Sequence, residues 1–174
     1  MKDHSNFLKA ASLLLQERRD VAFVLAGKGV EWTNHRLAAE IPNDFGSHFC
    51  LLGERNDMES IAAALDIATS ASYGEGFSNT IGEAMACGLP CVVTDVGDSA
   101  AIVGNTGRVV PAKDPKALAM AWKELIDLGE DGRRNLGAAA RKRIEEHFEL
   151  SRAVEEYEGL YTSLLGISGE PSHS

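Results

Sequence analysis

The sequence predicts an α/β domain built on a parallel sheet covered by helices. Short apolar runs alternate with longer segments of helical periodicity, and glycine turns follow two of the strand candidates, at Gly27-Lys28-Gly29 and at Gly53. The chain has 174 residues, 44% of them hydrophobic, which fits one domain able to bury a core.

Taken in order, residues 6–16 repeat Phe7, Leu8, Ala11, Leu14 and Leu15 at helical spacing, and the run 21–26 follows as a strand. Further strands are expected at 49–52, 67–70, Cys91–Thr94 and Arg108–Val110. Between them, 57–65 and 78–87 read as helices with Asp57 and Ser78 as N-caps, because a side-chain oxygen there can take an orphan amide of the first turn. Asp114 followed by Pro115 is an N-cap with proline at the first helical position, opening a helix through 117–128. Two more helices are expected at 132–147 and 150–165, the second with Ala153, Val154, Tyr157, Leu160, Tyr161 and Leu164 on one face. Residues 1–165 are read as one domain and 166–174, polar and containing Gly, Pro and Ser, as a disordered tail.

The charge narrows the function. Lys and Arg number 17 against 26 Asp and Glu, a net −9, so the chain lacks the basic surface that a nucleic acid or an anionic membrane requires. No run is apolar enough to span a bilayer, and the N-terminus lacks the charged-then-apolar pattern of a signal peptide. Cys50, Cys87 and Cys91 have neither CxxC nor zinc spacing, which points to a reduced, cytoplasmic setting. Cys87 and Cys91 are expected to be small core residues. The five histidines show no paired spacing, and no Asp-x-Asp occurs, so no metal is expected.

The densest chemistry lies in Glu75-Gly76-Phe77-Ser78-Asn79-Thr80-Ile81-Gly82-Glu83, two carboxylates eight positions apart across a glycine-flanked turn that opens a helix. Backbone amides at a helix start can take phosphate oxygens, and ionised carboxylates accept hydrogen bonds from sugar hydroxyls, so the layout suits a sugar nucleotide. A glycoside hydrolase also pairs carboxylates, but about 5–9.5 Å apart. Eight residues of continuous helix would span about 12 Å, and no other hydrolase feature accompanies the pair. A dinucleotide oxidoreductase would need a third glycine after Gly27 and Gly29, where Trp32 stands instead.

The runs Ser72 to Asn79, Glu83-Ala84-Met85-Ala86-Cys87-Gly88-Leu89-Pro90 and Thr94-Asp95-Val96-Gly97 closely resemble the donor-binding half of retaining glycosyltransferases of family 4, which have the two-domain GT-B fold. Lys2-Asp3-His4, Leu25-Ala26-Gly27, Leu52-Gly53-Glu54-Arg55, Thr106-Gly107-Arg108-Val109-Val110-Pro111 and Asp114-Pro115 follow as similar landmarks in the family's order. The resemblance implies a Rossmann-like three-layer domain that transfers a hexose from a nucleoside diphosphate sugar to a glycan or lipid-linked acceptor, in polysaccharide biosynthesis. A UDP-sugar is the expected donor in preference to a GDP-sugar, and no other cofactor is implied. An N-terminal acceptor domain or subunit is the implied partner, and any proximity to a membrane would come through it. Similar proteins begin this domain with a strand and a Gly-Arg turn ahead of the position of Lys2. Both are absent here, which implies a truncated chain or the distal piece of a split gene, with two strands left unpaired along one edge.

The resemblance also assigns roles. Glu75 would orient the hexose and help to stabilise developing positive charge, and Lys2 would act on the leaving diphosphate. Gly76, Phe77 and Ser78 would offer backbone amides, Thr80 would touch phosphate, and Glu83 would bind the ribose hydroxyls, with Asn79 completing the donor-binding run. Gly27 would let backbone approach the phosphate or sugar, and Arg55 would lie near the nucleobase. Each has a plain counterpart: a solvated terminal lysine for Lys2, a strand-exit turn for Gly27, a surface arginine for Arg55 and solvated glutamates for Glu75 and Glu83. Without catalysis, the chain would be a nucleotide-binding module that requires a separate acceptor domain.

Overall fold

A computed structural model describes residues 2–74 and 79–148. The expected helix 150–165 and tail 166–174 therefore lie outside the described residues. Five short parallel strands alternate with helices: α1 (His4–Glu17), β1 (Phe23–Leu25), α2 (His35–Ala38), a 3₁₀ helix (Asn43–His48), β2 (Phe49–Leu51), α3 (Met58–Ala63), β3 (Ala68–Ser70), α4 (Asn79–Ala86), β4 (Cys91–Thr94), α5 (Ser99–Val103), β5 (Arg108–Val110), α6 (Pro115–Asp127) and α7 (Gly129–His147).

The strands form two sheets. β1 pairs with β2, matching Phe23 with Phe49 and Leu25 with Leu51, and β3–β4–β5 form the second sheet in that order. The expected unpaired edges are present: among the described residues β1 has no partner but β2, and β3 none but β4.

One face is covered by α1 and α6. Leu8, Ala11, Leu14 and Leu15 of α1 and Leu118, Ala121, Trp122 and Leu125 of α6 bury their apolar stripes with Phe23, Leu25 and Val92. The aromatic rings interlock, Phe7 meeting Phe23 edge-on at 5.7 Å and Trp122 at 5.0 Å. Both helices start as the sequence dictates: Asp3 accepts from the Asn6 amide at 3.1 Å, and Asp114 accepts from Lys116 and Ala117 ahead of α6.

α4, α5 and α7 enclose a second cluster with Ile81, Met85, Cys91, Val93, Ile102 and Ala140. Two close approaches fix α7. Arg143 donates to the carbonyls of Ile102 and Ala101 at 2.8 and 2.6 Å, satisfying the otherwise orphaned end of α5. Gly137 packs against the backbone of Gly88, where an added Cβ would lie 1.8 Å from the carbonyl oxygen.

Two expectations are corrected. Cys91 is fully buried, but Cys87 is exposed. Ile81, Ala84 and Met85 form the buried face of α4, and Cys87, just past the helix, falls off that stripe. Asp57 holds the N-cap position of α3 without a side-chain capping bond, because its carboxylate is taken by Arg55.

Burial pushes the Cys91 thiol up to about 12, from an ordinary value of 9.0. The folded group thus stays neutral where the unfolded one ionises. Its contribution is complete below pH 9 and is lost as the pH rises towards about 12, at roughly 1.4 kcal/mol per pH unit. Cys91→Ala is expected to flatten the loss of stability between pH 9 and 11, measured by urea unfolding. In the native chain Cys50 and Cys87 should react with a thiol reagent while Cys91 does not.

Candidate donor-binding site

Each helix that leads into a strand runs against it, so the strand exits and several helix starts gather at one end of the domain, where open α/β sheets bind ligands. At that end lie the start of α1, the turns after β1 and β2, residues 71–74 after β3, the start of α4, and the exits of β4 and β5.

α4 presents the clearest polar group. Its inner face is closed by Ile81, Ala84 and Met85, while Asn79, Thr80 and Glu83 are exposed. Glu83 lies three residues beyond Thr80 and four beyond Asn79, so all three share one flank of the helix within about 6 Å along its axis. Glu75, Gly76, Phe77 and Ser78, including the expected Ser78 cap, lie outside the described residues.

The segment entering this run is anchored by a residue the sequence reading gave no role. The Thr94 hydroxyl, fully buried at the end of β4, makes a short hydrogen bond to the Ser72 carbonyl and reaches the Ser70 carbonyl at 3.4 Å. Ser70 and Ser72 add a hydroxyl contact at 3.4 Å. The signal was a lone threonine closing an otherwise apolar strand. Thr94→Val keeps the shape but strands a buried carbonyl, and is expected to cost about 1–3 kcal/mol in thermal unfolding.

Lys113 was also missed. Its backbone takes φ of 60°, the left-handed region that a lysine rarely adopts, and its ammonium lies 5.1 Å from the centre of the half-exposed Tyr73 ring. Neither the backbone conformation nor the pairing has a sequence signature.

Gly27 has φ of 147°, and its amide donates to the Gly53 carbonyl at 2.7 Å. The Gly53 amide in turn donates to Val30 at 2.7 Å, so the turns after β1 and β2 clasp each other. That Gly27 amide is engaged within the fold, while its lack of a side chain still permits close approach. Arg55 is half-exposed and forks onto Asp57 at 2.8 and 2.6 Å. These hydrogen bonds hold the Asp57 carboxyl below the usual range and raise the Arg55 guanidinium. Lys2 is exposed just ahead of the α1 cap, and His4 is the first residue of α1. Asp95, Gly97 and Asp98 form the turn leading into α5. Among the described residues, no cluster of three or more His, Cys, Asp or Glu side chains could hold a metal ion. No described helix is long and apolar enough to cross a membrane.

Residues 1–128 match the family described as glycosyl transferases group 1. The chain belongs to that family. Its α/β fold is that of GT-B glycosyltransferases. It is 32% identical over 149 residues to the N-acetyl-alpha-D-glucosaminyl L-malate synthase of Bacillus anthracis, covering 84% of this chain and 38% of that protein. Over 164 residues it is 26% identical to the UDP-Gal:alpha-D-GlcNAc-diphosphoundecaprenol alpha-1,3-galactosyltransferase of Escherichia coli, covering 91% of this chain and 42% of that one. The structure superposes on a glycosyltransferase from Rickettsia africae with a TM-score of 0.83 at 25% identity, covering 96% of this chain and 45% of that one. The chain thus spans less than half the length of each of these family members.

Proposed function

We propose that this chain is the donor-binding half of a retaining hexosyltransferase, which takes a hexose from a nucleoside diphosphate sugar to a glycan or lipid-linked acceptor in polysaccharide biosynthesis. The observation that carries the proposal is the exposed Asn79, Thr80 and Glu83 flank of α4, standing at the strand exits of a glycosyltransferase fold. Glu83 accepts from the ribose hydroxyls, and Thr80 with Asn79 faces the phosphates. Glu75 orients the hexose, while the amides of Gly76, Phe77 and Ser78 take oxygens of the sugar and diphosphate.

Departure of the diphosphate builds negative charge as the anomeric carbon becomes oxocarbenium-like. Lys2 and the helix amides stabilise the first, and Glu75 stabilises the second. The donor is a UDP-sugar, in keeping with the name of the Escherichia coli relative. Because the chain spans less than half of its relatives' length, the acceptor is held by a separate domain or subunit, and the chain alone binds donor without transferring it.

Calorimetric titration of the purified chain with UDP, GDP and ADP tests this reading. UDP is expected to bind at least roughly tenfold tighter than GDP and ADP, a difference of about 1.4 kcal/mol. Equal binding of all three would overturn the base assignment, and no binding by the folded chain would overturn the donor-site proposal.

A further inference from the structure

We propose that Lys113 is a positioning residue of the donor site: its ammonium holds the Tyr73 ring and so fixes how the chain leaves β3 towards the donor-binding run that begins at Glu75. The inference rests on the donor-site reading above. Lys113 takes φ of 60°, and its ammonium lies 5.1 Å from the centre of the Tyr73 ring. A lysine is strained in the left-handed region, where glycine is not. The turn has to bring Asp114 to the N-cap of α6, and glycine would serve that turn at less cost. What lysine adds is the ammonium. Among the described residues it forms no ion pair, and its contact is the Tyr73 ring.

The contact ties together two strands that do not pair with each other. β4 stands between β3 and β5, matching Val93 with Ser70 and Thr94 with Val110. The exits of β3 and β5 are therefore two strand spacings apart, about 10 Å. Tyr73 lies three residues beyond Ser70 and Lys113 three beyond Val110, so the two chains run equally far past the sheet before their side chains meet across the exit of β4. At that exit the Thr94 hydroxyl already holds the Ser72 carbonyl, and the Asp95 amide donates to the Val110 carbonyl at 2.8 Å. Ser72 is thus held through its backbone and Tyr73 through its ring.

Two successive anchors do what one cannot. A single hydrogen bond to the Ser72 carbonyl leaves the chain free to pivot about it, and a hold on the next side chain removes that freedom. Tyr73 is 47% exposed, so burial alone does not immobilise its ring, and Gly74 after it has no side chain to hold. Fixing residues 72 and 73 before the donor arrives spares the complex the cost of ordering them, the route by which preorganisation raises affinity. An exposed cation over an aromatic ring is a modest contact, so the effect on affinity is several-fold and not larger.

The test is calorimetric titration of the full chain and of three Lys113 variants with UDP, beside a thermal unfolding curve for each. Lys113→Gly relaxes the backbone and removes the ammonium, Lys113→Met keeps the length without the charge, and Lys113→Arg keeps a cation for the ring. Lys113→Gly and Lys113→Met are expected to bind UDP about three- to tenfold more weakly, and Lys113→Arg within about twofold of the parent. The thermal midpoint of Lys113→Gly is expected within about 3 °C of the parent or above it, so that affinity falls while stability does not. Tyr73→Leu is expected to weaken binding by the same factor and, joined to Lys113→Met, to add nothing further. Parent-like affinity in either Lys113→Gly or Lys113→Met would overturn the proposal and leave the donor-site reading intact. So would a loss in Lys113→Arg equal to that in Lys113→Met, or losses that only follow a fall in stability. No UDP binding by the folded parent would overturn the donor-site reading and this proposal with it.

Discussion

Gly137→Ala destabilises the domain by about 3 kcal/mol, although the same exchange at an exposed helical position is stabilising. Alanine is favoured over glycine in a helix by about 1 kcal/mol, so propensity alone predicts a gain for α7. The opposite sign follows from packing: the new Cβ would lie 1.8 Å from the Gly88 carbonyl oxygen and 3.4 Å from Pro90. The obstacle is backbone in a left-handed turn, with Gly88 at φ of 79°, and cannot rotate aside like a side chain. α7 must therefore lift away from α4, opening the cluster around Met85 and Ala140. Gly82→Ala in α4 supplies the contrast, because nothing lies within 4 Å of its added Cβ, and it should stabilise by roughly 0.5–1 kcal/mol. Urea unfolding of the two variants measures both signs, and a Gly137→Ala protein as stable as the parent would contradict the packing.

Glu83→Ala is expected to weaken UDP binding about 10- to 100-fold while leaving stability within about 0.5 kcal/mol of the parent. The two effects separate because Glu83 is exposed and forms no part of either core cluster. Its carboxylate would accept charge-assisted hydrogen bonds from ribose hydroxyls, each worth about 1.5–3 kcal/mol. Glu83→Gln keeps the length and one acceptor oxygen but loses the charge, so it should fall between the parent and Glu83→Ala. A fall in affinity that only tracked a loss of stability would assign Glu83 a structural role.

The strands were readable because each is a short apolar run closed by a turn, and all five appear, trimmed at their ends. The 21–26 run contracts to Phe23–Leu25 because the chain turns out to clasp Gly53. Four- and five-residue helices such as α2 and α5 offer too few turns for a periodic signal, so the sequence reading passed over both. α3 was expected and is present, yet none of its residues is buried, a matter of tertiary placement that no local pattern encodes. The separation of β1 from β3 was foreseen from the resemblance and not from the residues themselves. In the site, Asn79, Thr80 and Glu83 were singled out by the resemblance, and their common exposed flank emerges only with α4 itself. The partners of Arg55 and Gly27 were not readable, since the Arg55 fork onto Asp57 and the Gly27 to Gly53 bond depend on how two turns meet. The Thr94 latch onto Ser72 joins residues 22 positions apart.

The most direct measurement is a titration of the isotope-labelled chain with UDP, followed by backbone amide chemical shifts. Saturable shifts are expected at Lys2, at Gly27 and its turn, and from Glu75 through Glu83, with the midpoint moved to about 10- to 100-fold higher UDP in Glu83→Ala. Saturable shifts centred elsewhere, or none from a folded chain, would contradict a donor site at the strand exits.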